Sequence, residues 1–485
     1  MKLIKPVFFI VCAVASPATA QKIDVQWDKV ERVSKTTPTL QVVVNPPLRR
    51  GSAIHDRVFA ELKTLGADYV RYVPWLPYPR LGVAELEPPS KDKTSWDFSI
   101  IDPMTIDFLE ATKGHSVMLN FSTIPAWMFQ TPKPVEYPKD PNQVVWNYTQ
   151  GTELRDPTGK EVADYYARLV SWYVNGGFTD ELGKRHESGH HYKIDYWEVF
   201  NEPDIEHQTT PEQYTQRYDA VVAAVRKVAP GVKFVGISVA FPSNDPRMFE
   251  YFLNPKNHKP GIPLDMISYH FYASPAADET PDIHQHTFFD QADRFIVTAR
   301  YIESIRQRLS PSTKTTVNEI GSILAGDPNL TTPIPDSYWN LSGACYAYVF
   351  GHLASLGIDV AGESQLVGYP TQFPSVSMVD WNTGAPNARF RVLELLKKNF
   401  GPGDKIVQTP GRHPYVYALG MIKPQGQRKL LLVNKRNRDM EVTLPGTAQS
   451  VEFVDQTTKG NSPGKQSLRA GKLTLRGLGV AVVTF

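Results

Sequence analysis

Cysteine is nearly absent: the chain has two in 485 residues, Cys12 and Cys345. Cys12 lies in an N-terminal stretch that reads as removable, so no intrachain disulfide is expected and stability must come from a large apolar core. Cys345 sits in the helix-period run GACYAYVF and reads as a core thiol. Long hydrophobic runs are also missing. The longest, residues 7–15, falls far short of the roughly 20 apolar residues of a membrane span. There is little excess charge: the formal net charge is +2, and Lys2 and Lys5 account for it. Such a balance argues against nucleic acid or another polyanion as partner. Finally, no glycine-rich phosphate loop opens any helix, which removes the dinucleotide-binding folds.

What is present begins with those two lysines. They precede the apolar run, and Ala18-Thr19-Ala20 follows it as a small-residue cleavage pattern, so residues 1–20 are expected to be a signal peptide and the mature chain secreted or periplasmic. Four Asn-x-Ser/Thr sequons, at Asn120, Asn147, Asn329 and Asn340, would matter only in a eukaryotic secretory route.

Beyond residue 36 short β-branched runs alternate with helix-period segments. The strand candidates are TLQVVVN (39–45), ADYVRYVPW (67–75), SVMLNF (116–121), IDYWEVFNE (194–202), KFVGISVA (233–240), LDMISYHFY (264–272), TTVNEIG (315–321) and IDVAGESQ (358–365). Eight βα units in succession predict an α/β fold, a closed (β/α)8 TIM barrel over 37–400. The intervening helices carry their own signals. Thr210-Pro211-Glu212-Gln213 is a capping box with Pro at the first turn, and the stripe at Ile54, Val58, Leu62 and Leu65 stops at Gly66. The connection between residues 121 and 194 is long and rich in Pro and aromatics, as loops that build sites are. After NFGPG (399–403) the pattern turns to short alternating strands, predicting a C-terminal antiparallel β-sandwich over 401–485. That region holds thirteen Lys and Arg against five Asp and Glu from residue 403 onward, scattered as a solvated face. The alternating IDVQWDKV suggests that residues 21–36 add a strand to the same sandwich.

In a barrel, side chains at the C-terminal strand ends converge on one pocket. Glu202 closes the fourth predicted strand and Glu319 the seventh, and a facing pair of carboxylates is what hydrolysis of a glycosidic bond requires. WEVFNEPD (197–204) resembles the strand-four motif of the retaining glycosidases of clan A, most closely glycoside hydrolase family 39, the β-xylosidase and α-L-iduronidase family. IPAWMF (124–129), SYHFY (268–272), VNEIG (317–321), WDFSIIDP (96–103) and NTGAPNARFRVLELL (382–396) resemble further segments of it, with Phe200 and Ala126 as departures.

The resemblance implies Glu202 as general acid/base, Glu319 as nucleophile, and Asn201 as partner of the sugar 2-hydroxyl. His270 and Tyr272 would align Glu319, Trp75 and Trp127 would wall the sugar, and Arg71 would pair with a carboxylate in the barrel mouth. No metal and no cofactor is expected, and the histidines at 186, 190, 191, 284 and 286 read as polar loop residues. The expected activity is removal of terminal β-xylosyl or α-L-arabinosyl-type sugars from oligo- or polysaccharide. Two other readings are an endo-acting exopolysaccharide glycosidase and a catalytically inert carbohydrate-binding barrel, although both acids are in place. Glu198, four residues before Glu202, is expected deeper in the barrel in a structural pairing.

Overall fold

The computed structural model describes residues 21–148, 151–330, 333–411, 413–466, 468 and 471–485; the expected signal peptide, residues 1–20, lies outside them. Among the described residues, eight parallel strands close into a barrel: β1 (Thr37–Val43), β2 (Val70–Val73), β3 (Val117–Leu119), β4 (Tyr196–Glu198), β5 (Lys233–Val239), β6 (Met266–Ala273), β7 (Lys314–Ser322) and β8 (Val360–Glu363). Each strand pairs with the next in sequence, and β8 closes the ring on β1 with Val360 opposite Thr37. The fold is a (β/α)8 TIM barrel with an antiparallel sandwich at its C-terminal end.

A helix follows every strand: α1 (His55–Leu65), α2 (Ile101–Ala111), α3 (Lys160–Val174), α4 (Pro211–Val228), α5 (Arg247–Phe252), α6 (Pro281–Leu309), α7 (Asp336–Leu356) and α8 (Ala388–Asn399). The local signals act as read. Thr210 caps α4 through Gln213 N at 3.2 Å, and Gln213 Oε1 accepts from Thr210 N at 3.1 Å. Gly66 ends α1 at φ +55°, a left-handed conformation that glycine adopts without a Cβ penalty. In α7, burial pushes the Cys345 thiol up to about 12, consistent with an inert core residue.

The barrel interior is layered by the two-residue period of its strands. Met118, Tyr196, Val235, Met266 and Val360 form an apolar floor. Two residues further along, Asn120, Glu198 and Ser268 form a buried polar layer with Arg71 and Asn318. At the next step His270 reaches the mouth.

In the C-terminal region a seven-stranded antiparallel sheet includes Gln26–Val33 from the N-terminus, and a three-stranded sheet includes Gln21–Lys22. The strand Arg428–Asn434 alternates between two cores: Leu430 and Leu432 join the sandwich interior, while Leu431 and Val433 pack into the barrel's apolar mass. One feature of the long third connection differs from expectation. It contains a two-stranded hairpin, Gly177–Thr179 with Arg185–Glu187, whose strands are too short and polar to show an alternating pattern.

Candidate active site

Glu202 and Asn201 are adjacent, so a regular strand would turn one of them away from the barrel mouth. The backbone avoids this by leaving the β conformation after Glu198. Phe200 has φ +64° and Glu202 φ +40°, both left-handed and costly for residues with a Cβ. Surrounding contacts hold the kink. Asn120 Nδ2 donates to Phe200 O at 2.9 Å, Glu202 N donates to Ser238 O at 2.9 Å, and the Phe200 ring packs edge-on against Tyr166 and Tyr214. Both side chains then reach the pocket.

Glu319 arrives from the C-terminal end of β7 and is almost saturated with hydrogen bonds. Its Oε1 accepts from Arg71 Nη1 and from Gln41 Nε2 at 2.7 Å, and its Oε2 accepts from the Tyr272 hydroxyl at 2.6 Å. Burial favours its neutral form, but His270, Arg71 and Tyr272 outweigh that and hold the carboxyl below the ordinary glutamate value. Glu202 has one such partner, His270 Nδ1 at 2.8 Å from Oε1. Burial and the nearby Glu319 charge push its carboxyl up. Two glutamates in one pocket are therefore driven apart, one toward the ionised and one toward the neutral form, the pattern of a matched base and acid.

His270 is central to this. Its Nδ1 lies 2.8 Å from Glu202 and 3.6 Å from Glu319, and its Nε2 meets Ser238 Oγ at 3.1 Å. Burial disfavours its charge, yet the two carboxylates raise its proton affinity overall. Donor atoms of Glu202, His270 and Glu319 all lie within 4.8 Å of one another, a set that a divalent ion can use. Here the groups already satisfy one another: His270 Nδ1 is engaged with Glu202, and Arg71 already brings a cation to Glu319.

Arg71 makes the expected pairing with a carboxylate of the barrel mouth, Glu319, but from below and not as a substrate contact, and Trp127 stands elsewhere than sequence reasoning put it. Arg71 is 1% exposed and its guanidinium is spent within the protein, on Glu198 at 2.5 Å, Glu319, Asn201 at 2.6 Å and Ser238 at 3.1 Å. It lies under the site and positions its acids, with four of its five N–H groups committed within the protein. Its pairing with Glu198 is the buried contact expected of that carboxylate. Trp127 lies behind the wall, not on it. Its Nε1 donates to Glu85 O at 2.9 Å and Arg155 stacks on its ring at 4.4 Å. The long loop folds it back into the core, where a sequence motif gives no direction.

The remaining residues meet at a cavity of about 1160 Å³ above β1, β4, β6 and β7, where Asn201, Glu202, His270, Tyr272, Glu319 and Trp75 all reach the surface. Trp75 joins Trp146 and Phe373 in an aromatic cluster on one flank, with centroids 5.5 to 6.2 Å apart. Phe241, 53% exposed, and Ile205, 45% exposed, form the opposite rim. Two polar participants escaped sequence reasoning. Gln41 was readable only as a strand residue, and Glu206 lies in the loop after Glu202, where no motif marks it. Both bond directly to site residues.

No protein-family model and no curated protein matches the chain. Solved structures do resemble it. A glucosidase from Croceicoccus marinus aligns at TM-score 0.62 and 16% identity, covering 96% of this chain and 98% of that one. The GH51 arabinofuranosidase from Xanthomonas axonopodis pv. citri aligns at 0.63 and 13%, covering 96% and 99%. A GH30 endoxylanase from Clostridium papyrosolvens C71 aligns at 0.58 and 14%, again covering 96% and 99%. The similarity spans barrel and sandwich together, so the whole two-part architecture is one that solved glycoside hydrolases share.

Proposed function

We propose that the protein is a retaining glycoside hydrolase that acts by double displacement. The observation that carries this reading is the opposed pair Glu202 and Glu319, which share His270 and have donor oxygens within 4.8 Å of each other. So close an approach of two oxygens supports the closer arrangement of retaining sites, about 5 to 5.5 Å between carboxyl groups, over the about 6.5 to 9.5 Å of inverting ones.

In the first step an ionised Glu319 oxygen bonds to the anomeric carbon as the glycosidic C–O bond breaks, and Glu202 gives its proton to the departing oxygen. In the second step Glu202, now ionised, takes a proton from water. The hydroxide oxygen bonds to the anomeric carbon, and Glu319 leaves with its electron pair. Asn201 Nδ2 keeps one hydrogen for the 2-hydroxyl, since its Oδ1 is committed to Arg71 and Ser238.

For the sugar, a terminal β-xylosyl or α-L-arabinosyl-type unit is the favoured reading. It has support in the family 39 resemblance and in similar structures titled as an arabinofuranosidase and an endoxylanase. Export through residues 1–20 would bring the enzyme to polysaccharide outside the cytoplasm. A specific feature favours endo action as a second reading. The cavity adjoins a second depression of about 690 Å³, the two sharing Ile205, Gln208 and Phe241, on the side where an acid at Glu202 would release the leaving group.

The test is turnover of a panel of nitrophenyl glycosides and of xylo- and arabino-oligosaccharides by the wild type and by Glu319→Ala, with the product anomer read by NMR. Activity in the wild type alone, with retained configuration, is the expected result. Equal, negligible rates for both proteins on every substrate would leave the inert carbohydrate-binding reading.

A further inference from the structure

Glu206 is a third carboxyl in the same cavity, and the double-displacement mechanism has no use for it. The turn after Glu202 brings it back. Ile205 N and Glu206 N both donate to Glu202 O, at 3.0 and 2.8 Å, so the side chain four residues on returns to the same side. Its Oε1 accepts from Trp75 Nε1 at 2.6 Å and from Asn201 Nδ2 at 2.9 Å. Its Oε2 is screened from solvent and has no hydrogen-bond partner. A buried polar oxygen left without a partner costs free energy, and a pocket residue that carries one is incomplete until a ligand supplies the contact.

The charges around it restrict that ligand. Arg71 lies beneath the cavity, paired with Glu198 and Glu319. The Arg that lines the cavity among the described residues, Arg294, lies at the exposed rim and pairs with Asp290. His207 is buried and held near neutral, its affinity for a proton lowered to about 4. His270 is already held between Glu202 and Glu319, so an incoming carboxylate would find no uncommitted cation beside Glu206.

Building on the glycosidase reading, we propose that Glu206 is a specificity-determining residue. Its Oε2 hydrogen-bonds a hydroxyl of a neutral sugar and its Oε1 fixes the Asn201 amide, and with no uncommitted cation beside Glu206 the pocket disfavours uronic acids. Burial and the Glu202 charge push its carboxyl well above the ordinary range. That shift favours the protonated form, in which Oε2 can donate in this contact.

The experiment measures equilibrium binding by calorimetry of xylose, arabinose and glucuronate to the full chain as wild type, Glu206→Gln and Glu206→Ala, with thermal melting as a check of folding. The Gln variant keeps an acceptor for Trp75 and Asn201 and puts an N–H where the acid has its O–H. The wild type and the Gln variant are expected to bind a neutral pentose within about threefold of each other, the Ala variant about tenfold more weakly, and none to bind glucuronate at comparable affinity. Unchanged pentose binding by the Ala variant, no pentose binding by the wild type, a Gln variant as weak as Ala, or glucuronate binding equal to pentose would overturn the proposal. Binding is read without turnover, so failure of the hydrolase reading, seen in the glycoside panel, is a separate result. Where the panel identifies a substrate, the Ala variant is expected to raise KM about tenfold with kcat changed far less.

Discussion

The Tyr272 hydroxyl donates to Glu319 Oε2 at 2.6 Å, and the same hydroxyl meets Ser364 Oγ at 2.6 Å. The phenol thus has a fixed direction, and it favours the ionised form of the nucleophilic carboxylate. Replacing it with Phe removes a hydrogen bond to a charge worth about 1.5 to 3 kcal/mol. Tyr272→Phe is expected to lower kcat/KM about 10- to 100-fold and to move the acidic limb of the pH profile upward. A profile identical to wild type would show that the contact does not tune Glu319.

The opposed shifts of the two acids set the shape of that profile. In the proposed mechanism activity needs Glu319 ionised, which its depressed value favours from low pH upward. It also needs Glu202 protonated, which its raised value extends above the usual glutamate range. A bell is expected, with its basic limb belonging to Glu202. In Glu202→Gln, kcat on substrates with poor leaving groups should fall by about 10² to 10⁴ and the basic limb should vanish. A basic limb that survives in that variant would assign it to another group.

Arg71 tests the support beneath the site. Its guanidinium lies between Glu198 and Glu319, and losing one partner of a buried ion pair typically costs about 3 to 5 kcal/mol. Arg71→Met should therefore lower the urea midpoint markedly, while Trp75→Ala, on the cavity wall, should chiefly raise KM. Trp127→Phe should leave KM unchanged because Trp127 faces Glu85 and Arg155. A large KM effect at Trp127 would contradict its placement behind the wall.

Glu85 carries a prediction about stability. It is fully buried, neither carboxyl oxygen has a partner, and burial pushes its value up to about 8. A carboxyl raised in the folded state contributes stability below its unfolded value and loses it as pH rises through the folded one. Between about pH 4.5 and 8 the wild type should thus lose stability relative to Glu85→Gln, which keeps the shape without the charge. Melting temperatures across that range check it: a difference that does not grow with pH would mean Glu85 is solvated or paired in the folded protein.

Much of this molecule was legible from its sequence because the barrel imposes strong periodic signals. All eight barrel strands overlap the predicted runs, and both acids come up at the C-terminal end of the barrel, Glu319 within β7 and Glu202 just past β4. The fourth strand shows the limit. Its apolar run extends through Phe200, but the hydrogen-bonded strand stops at Glu198, because left-handed residues at 200 and 202 turn both Asn201 and Glu202 inward. Arg71 could be matched with a carboxylate, but not seen to bridge Glu198, Glu319, Asn201 and Ser238 beneath the site. Glu206 and Gln41 were not legible because their roles arise from distant strands meeting, which no local pattern encodes. Trp127 was misdirected for the same reason: a Pro-x-Trp motif reports a residue type, and the loop's packing decides which way it faces.

The most direct test of the central claim is to trap the glycosyl-enzyme. The protein is incubated with an activated 2-deoxy-2-fluoro glycoside of the sugar that the panel shows to be cleaved, then digested and mapped by mass spectrometry. The account predicts stoichiometric addition of one fluoroglycosyl unit on Glu319, in the peptide containing TTVNEIG, and none in Glu319→Ala. A label on Glu202, or time-dependent inactivation with the label on any other residue, would contradict it.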